Sequence, residues 1–148
     1  KNQIGMLVAI EREVGLGAYI EGGVLLNAQV SAELLESLFY PGTALHDGAV
    51  IIREDKIVAA GCLFPLTDNP NVSKTMGTRH RAGIGLTEES DAIVVIVSEE
   101  TGRISVCHRG EIMPDLDRDR LEGLLRELTT PGKSPPRAPE DEAEPGGA

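Results

Sequence analysis

The sequence predicts a mixed α/β domain, a central mixed β-sheet with helices packed on it. Three observations carry that expectation. Residues 92–98 (Ala-Ile-Val-Val-Ile-Val-Ser) form a continuous β-branched run, the pattern of a central strand buried on both faces. Residues 49–53 and 56–64 are apolar runs separated only by Glu54-Asp55, the pattern of a hairpin. Leu34, Leu35, Leu38 and Phe39, and later Leu121, Leu124, Leu125 and Leu128, recur at helical spacing.

Taken in order, residues 5–10 read as a buried strand and residues 24–30 as a weaker one. Ser31 is a good helix N-cap, with Glu33 in the first turn near the positive end of the dipole. The Leu34–Phe39 apolar face follows, and Pro41-Gly42 ends that helix. After the 49–64 hairpin, residues 78–85 read as helical, with Thr78 as the candidate N-cap. The 92–98 strand turns through residues 99–103 into a strand at 104–108. A last helix carries the Leu121–Leu128 spacing, with Asp117 or Asp115 as cap, and Pro131-Gly132 stops it. The resulting order is strand, helix, hairpin, helix, hairpin, helix.

The 148 residues suffice for one domain, expected at residues 1–130. Residues 131–148 hold five of the nine prolines and no Leu, Ile, Val or aromatic residue. Such a segment buries too little apolar surface to offset its ordering entropy, so a disordered tail is expected there. No window approaches the roughly 18 apolar residues of a membrane span, and the first residues run into a strand pattern without a signal-peptide cleavage site. The chain starts with Lys1 and not Met, which points to a piece of a longer protein. Cys62 and Cys107 both sit in apolar strand-like runs. They read as buried thiols of a reducing compartment, not as a disulfide framework.

The formal net charge is −10, which argues against non-specific binding to nucleic acid or anionic lipid. Yet residues 69–87 contain no acidic residue and carry Lys74, Arg79, His80 and Arg81. A basic window in an acidic chain is where an anionic ligand is expected. In Gly77-Thr78-Arg79-His80-Arg81, free N–H groups of a first helical turn lie beside two guanidinium groups, a combination suited to a polyphosphate. Arg at this helix end opposes the dipole and so calls for an anion. In Leu45-His46-Asp47-Gly48-Ala49, a carboxylate beside a glycine at a strand entrance can approach a ligand closely, and His46 and Asp47 are both metal-ligand types. The bland alternative is an ordinary Asp-Gly turn. Ser98-Glu99-Glu100-Thr101-Gly102 follows the central strand, where loops line ligand sites in open sheets, and Glu100 suits a base or a metal. The competing reading is a solvated hairpin turn. Asn71-Val72-Ser73 matches a glycosylation sequon without other support, and His108 is a lone strand histidine.

These three segments resemble the signature segments of the diadenylate cyclase domain. The likeness extends to Ile10-Glu11-Arg12-Glu13, Leu26-Asn27-Ala28 and Gly61-Cys62-Leu63-Phe64-Pro65-Leu66, and covers roughly residues 4–128. The membrane-anchored type of the family is the nearer one, because no helical spine or DNA-binding module follows. The resemblance implies that the ribose 3′-hydroxyl of each of two ATP molecules attacks the α-phosphate of the other, giving cyclic di-AMP and two pyrophosphates. It implies Mg²⁺ or Mn²⁺, with His46 and Asp47 as ligands and Asp47 activating the hydroxyl beside Gly48 and Ala49. Arg79, His80 and Arg81 would stabilise phosphate charge, with Thr78, Ser98, Glu100, Leu63 and Phe64 binding the nucleotide. Leu63 departs from the pattern, since a Tyr that stacks on adenine is frequent there; the segment around His108-Arg109-Gly110 is also atypical. A second copy of the chain is implied, each subunit bringing one ATP. Also implied are a cytoplasmic domain, a parent anchored at the cell membrane, and a membrane regulator and a sugar-phosphate mutase as partners.

Three other readings remain at this stage. One is a non-catalytic nucleotide-binding module, which the intact Asp47, Arg79 and Arg81 disfavour. Another is a metal-dependent phosphohydrolase using His46, Asp47 and His80. The last is a structural domain whose charged segments are surface turns.

Overall fold

The computed structural model describes residues 4–72 and 75–129. The expected tail at 131–148, Lys74 and the sequon's Ser73 lie outside the described residues. The chain divides into two compact units, Lys1–Leu116 and Asp117–Ala148.

The first unit contains seven strands: β1 (Met6–Ile10), β2 (Val24–Gln29), β3 (Ala49–Arg53), β4 (Lys56–Cys62), β5 (Ile93–Val97), β6 (Ile104–His108) and β7 (Glu111–Leu116). They form one sheet in the order β2-β4-β3-β1-β5-β6-β7. β1 pairs in parallel with β3 and antiparallel with β5, so the sheet is mixed, as expected. The β3–β4 and β5–β6 hairpins fall where the sequence puts them.

Both faces of the central strands are buried, which is why their sequences read as unbroken apolar runs. Leu7, Ala9, Ile51, Val94 and Ile96 join one core with α3 (Thr78–Glu89), through Ala82, Ile84 and Leu86. Val8, Val50 and Ile57 join the other with Phe39 of α2 (Ala32–Phe39), against which Leu34, Leu35 and Leu38 pack. Ser31 caps α2 as expected, its Oγ accepting from the Leu34 N–H at 3.1 Å.

Five local expectations need correction. A short helix α1 (Gly17–Glu21) precedes β2, and β7 follows β6; neither was expected. α3 continues to Glu89, beyond residue 85, and its N-cap is Gly77, with Thr78 already helical. β4 ends at Cys62, so Leu63 and Phe64 lie in the segment after it. In the second unit, α4 (Arg118–Thr129) is capped by Asp117, whose Oδ1 accepts from the Arg120 N–H at 2.8 Å.

Candidate active site

α3 lacks the one-sided apolar stripe of a surface helix because the sheet lies along one side of it and the chain after β4 along another. A Cβ on Gly83 would meet Ile96 Cδ1 at 2.8 Å and Cys107 Sγ at 3.0 Å, and the Thr67 N–H donates to the Arg81 carbonyl at 3.1 Å. The helix is thereby fixed with its N-terminus beside the end of β5. Its first turn holds no acidic residue, and its N-cap Gly77 has no side chain to offer the first-turn N–H groups.

That helix end opens into a cleft of about 870 Å³. Gly77, Thr78, Arg79 and His80 line it from α3, and Ser98, Glu99, Glu100 and Thr101 from the turn after β5. Asp47 lines it from the entrance to β3, and Arg103, Ser105, Ile112, Pro114 and Asp115 from β6, β7 and the turn before β6. The volume lies in the roughly 300–1,000 Å³ range of small-molecule sites. All three chemistry-bearing segments therefore meet in one place, although they are dispersed over more than fifty positions of sequence.

Within the cleft Arg79 Nη1 donates to Glu99 Oε1 at 2.8 Å. Glu99 was not singled out from the sequence; its neighbour Glu100 was, and both line the cleft. Arg103, read only as the end of a turn, and Asp115, read only as a possible helix cap, also line the cleft and sit 3.5 Å apart, both well exposed. Their signal was absent because Asp115 belongs to the unexpected β7. Burial, and then the adjacent Arg79 guanidinium, hold His80 below its ordinary pKa of 6.5.

Ser98 shapes the turn. Its Oγ accepts from the N–H groups of Glu100 at 3.2 Å and Thr101 at 3.3 Å. Both acceptor positions being engaged, its hydroxyl hydrogen remains available to donate. Gly102, at φ +75°, closes the turn by donating its N–H to the Ser98 carbonyl at 2.8 Å.

Other expected residues are placed differently. Gly48 packs on the β4 backbone, where a Cβ would meet Gly61 Cα at 2.6 Å; the missing side chain makes room for β4. Ala49 is fully buried in β3. Arg81 Nε donates to the Met76 carbonyl at 3.3 Å and bolsters the loop before α3. Phe64 is buried, its ring edge-to-face with Tyr19 at 5.8 Å between centroids. Leu63 is 76% exposed and does not line the cleft.

His46 Nδ1 lies 2.7 Å from the Thr43 carbonyl oxygen, a geometry that puts the proton on Nδ1 in the neutral ring. The Nε2 lone pair then faces Asp47 Oδ1 at 3.2 Å. Two electron-pair donors side by side, one imidazole and one carboxylate, fit a divalent cation such as Mg²⁺ or Mn²⁺. Among the described residues, no cluster of three or more His, Cys, Asp or Glu side chains is placed to hold a metal ion. Further ligands would therefore come from water and phosphate oxygens, the usual arrangement for Mg²⁺ at phosphate sites.

Residues 1–112 match the family model DAC, described as DisA bacterial checkpoint controller nucleotide-binding. The cyclic di-AMP synthase CdaA of Bacillus subtilis is 50% identical over 125 residues, which are 84% of this chain and 46% of CdaA. The chain thus spans about half the length of the curated relatives it matches. A double mutant of DacA from Staphylococcus aureus superimposes with a TM-score of 0.82 at 50% identity, over 84% of this chain and 83% of that one. A hypothetical membrane spanning protein of Bacillus cereus superimposes with a TM-score of 0.74 at 48% identity, over 77% of this chain and 56% of that one. Extent of match, identity and fold agree, and the chain belongs to the DAC family of diadenylate cyclase domains.

Proposed function

We propose that residues 1–130 form a catalytic domain that condenses two ATP molecules into cyclic di-AMP. The observation that carries this reading is the convergence of Asp47 with Arg79 and His80 on one cleft of nucleotide size. In each half-reaction a ribose 3′-oxygen forms a bond to the α-phosphorus of the other ATP. The bond from that phosphorus to the bridging oxygen breaks, and pyrophosphate leaves with the electron pair. The 3′-hydroxyl proton passes to the Asp47 carboxylate.

A sugar hydroxyl is a weak nucleophile at neutral pH and needs a base or a metal at its oxygen. Asp47 suits that role because its side chain is 88% exposed toward solvent and cleft. Charge grows on the phosphate oxygens and on the leaving pyrophosphate. The Arg79 guanidinium and the N-terminal end of α3 are fixed beforehand where that charge develops. Thr78 and the Ser98 hydroxyl donate to the same oxygens, and His80 lines the wall beside them. His46 Nε2 and the Asp47 carboxylate would hold a divalent cation, Mg²⁺ or Mn²⁺, which when bound supplies Lewis-acid polarisation.

One cleft of this size takes one ATP, and each linkage needs two, so two copies of the chain must face each other. The parent protein is proposed to sit at the cell membrane with this domain in the cytoplasm. The likeness to a membrane spanning protein supports that placement. No helix among the described residues is long and apolar enough to cross a membrane.

Incubating the protein with ATP and Mn²⁺ or Mg²⁺ should yield cyclic di-AMP by mass spectrometry, and Asp47→Asn should abolish it with the melting temperature preserved. AMP or ADP as the sole product would overturn the cyclase reading, as would full activity in Asp47→Asn its assignment of the base.

A further inference from the structure

Gly5 immediately precedes β1 and is buried. β1 pairs with β5 so that Met6 lies opposite Val97, which sets Gly5 beside Ser98 and the start of the cleft-lining turn. A Cβ at position 5 would meet Arg79 Nη1 at 2.7 Å, Arg79 Cζ at 2.8 Å and Glu99 Cβ at 2.9 Å. Real Cβ atoms essentially never approach so closely. The Arg79–Glu99 ion pair therefore rests on bare backbone at the head of the central strand, in space that only glycine leaves open.

We infer that Gly5 is a positioning residue for the cyclase reaction: its missing side chain sets where the Arg79 guanidinium stands in the cleft. The inference rests on the reading of Arg79 as the phosphate-stabilising cation. Nothing in the local backbone asks for glycine, since Gly5 is not among the residues at positive φ. What demands it is the approach of the guanidinium. An alanine methyl there displaces the far end of the flexible Arg79 side chain, and Glu99 Cβ, held by its backbone, has to shift with the turn that carries it. The fold survives, and the cation moves by a distance comparable to the clash. A misplacement of about 1 Å at a reacting centre costs up to about 100-fold in rate.

The test is a double-mutant cycle of Gly5→Ala with Arg79→Ala, with Gly15→Ala, where nothing lies within 4 Å of the added methyl, as a control. Gly5→Ala should keep the melting temperature within a few degrees and lower kcat about 10- to 100-fold, with KM changed far less. In the Arg79→Ala background, Gly5→Ala should change kcat less than about 2-fold, because the group it acts through is gone. Arg79→Lys, which lacks the clashing fork, should shrink the alanine penalty in the same way. Equal losses in both backgrounds would overturn the inference, as would an unimpaired Gly5→Ala enzyme. Loss of folding in Gly5→Ala would overturn it too, because the inference needs Arg79 and the turn to yield while the fold holds. A wild-type protein that makes no cyclic di-AMP defeats the activity reading instead. The same cycle is then read as affinity for ATP, where Gly5→Ala must weaken binding only when Arg79 is present.

Discussion

His80 and His108 are both held below the ordinary imidazole pKa, first by burial and then by a neighbouring guanidinium, Arg79 for the one and Arg109 for the other. A histidine with a lowered folded pKa binds fewer protons folded than unfolded. Stability then falls as the pH drops through 6.5 toward the folded value, and it is flat above that range. Denaturant midpoints should therefore decrease from about pH 7.5 to about pH 5.5, and His80→Gln should flatten part of the slope. Glu11 acts in a lower window, its pKa lowered by hydrogen bonding to Arg53, so its contribution is lost as pH falls below 4.5 toward its lowered folded value. A slope unchanged by His80→Gln would remove His80 from this account. Leu63 carries a different prediction at the same scale. It is a large apolar side chain left in solvent, at a position where the family resemblance implies contact with adenine. Base–aromatic stacking is worth about 1–3 kcal/mol. Leu63→Tyr should lower KM for ATP at least about 5-fold, and an unchanged KM would place the base elsewhere.

At the scale of elements, what the sequence discloses follows from what stabilises each element. α2 was legible because its determinants are local: a Ser31 cap, Glu33 in the first turn and a leucine face. Ser31→Ala should cost about 1 kcal/mol, read as a shift in the denaturation midpoint with no change in cyclase activity. β5 was legible because burial on both faces permits only apolar side chains. α1 escaped notice because it spans five residues with no side-chain cap and no acidic first turn. β7 escaped because it is an edge strand carrying Pro114 and only one buried residue; an edge tolerates proline since one side of the ladder is unpaired. α3 was seen only to residue 85, since Gly83 and Gly85 weaken a helix in isolation and are retained here for close packing. Of the site, Asp47, Thr78, Arg79, His80, Ser98 and Glu100 were legible as local charge and turn patterns. Glu99, Arg103 and Gly5 were not, because their roles come from partners distant in sequence.

For the whole molecule, the decisive constraint is stoichiometric. A single cleft is lined by one Asp47 and one Arg79, while cyclic di-AMP contains two phosphodiester linkages formed in opposite directions between two nucleotides. On the proposed mechanism, two faced copies would provide two bases and two cations, one of each for either linkage. Mixing wild-type with Asp47→Asn chains therefore distinguishes a paired centre from an independent one. If subunits exchange freely, the fraction of pairs with both bases intact falls as the square of the wild-type fraction. An equal mixture should make cyclic di-AMP at about a quarter of the rate of the same total amount of wild type. Independent sites would give about half. Mixed pairs keep one working base, so they should release the singly linked, linear dinucleotide. Dilution of the wild-type domain should lower its specific activity through mass action on the pair, and Asp47→Asn added at constant total protein should not restore it. Linear proportionality in the mixture, with no linear dinucleotide, would show that one chain completes the reaction alone and would overturn the face-to-face arrangement.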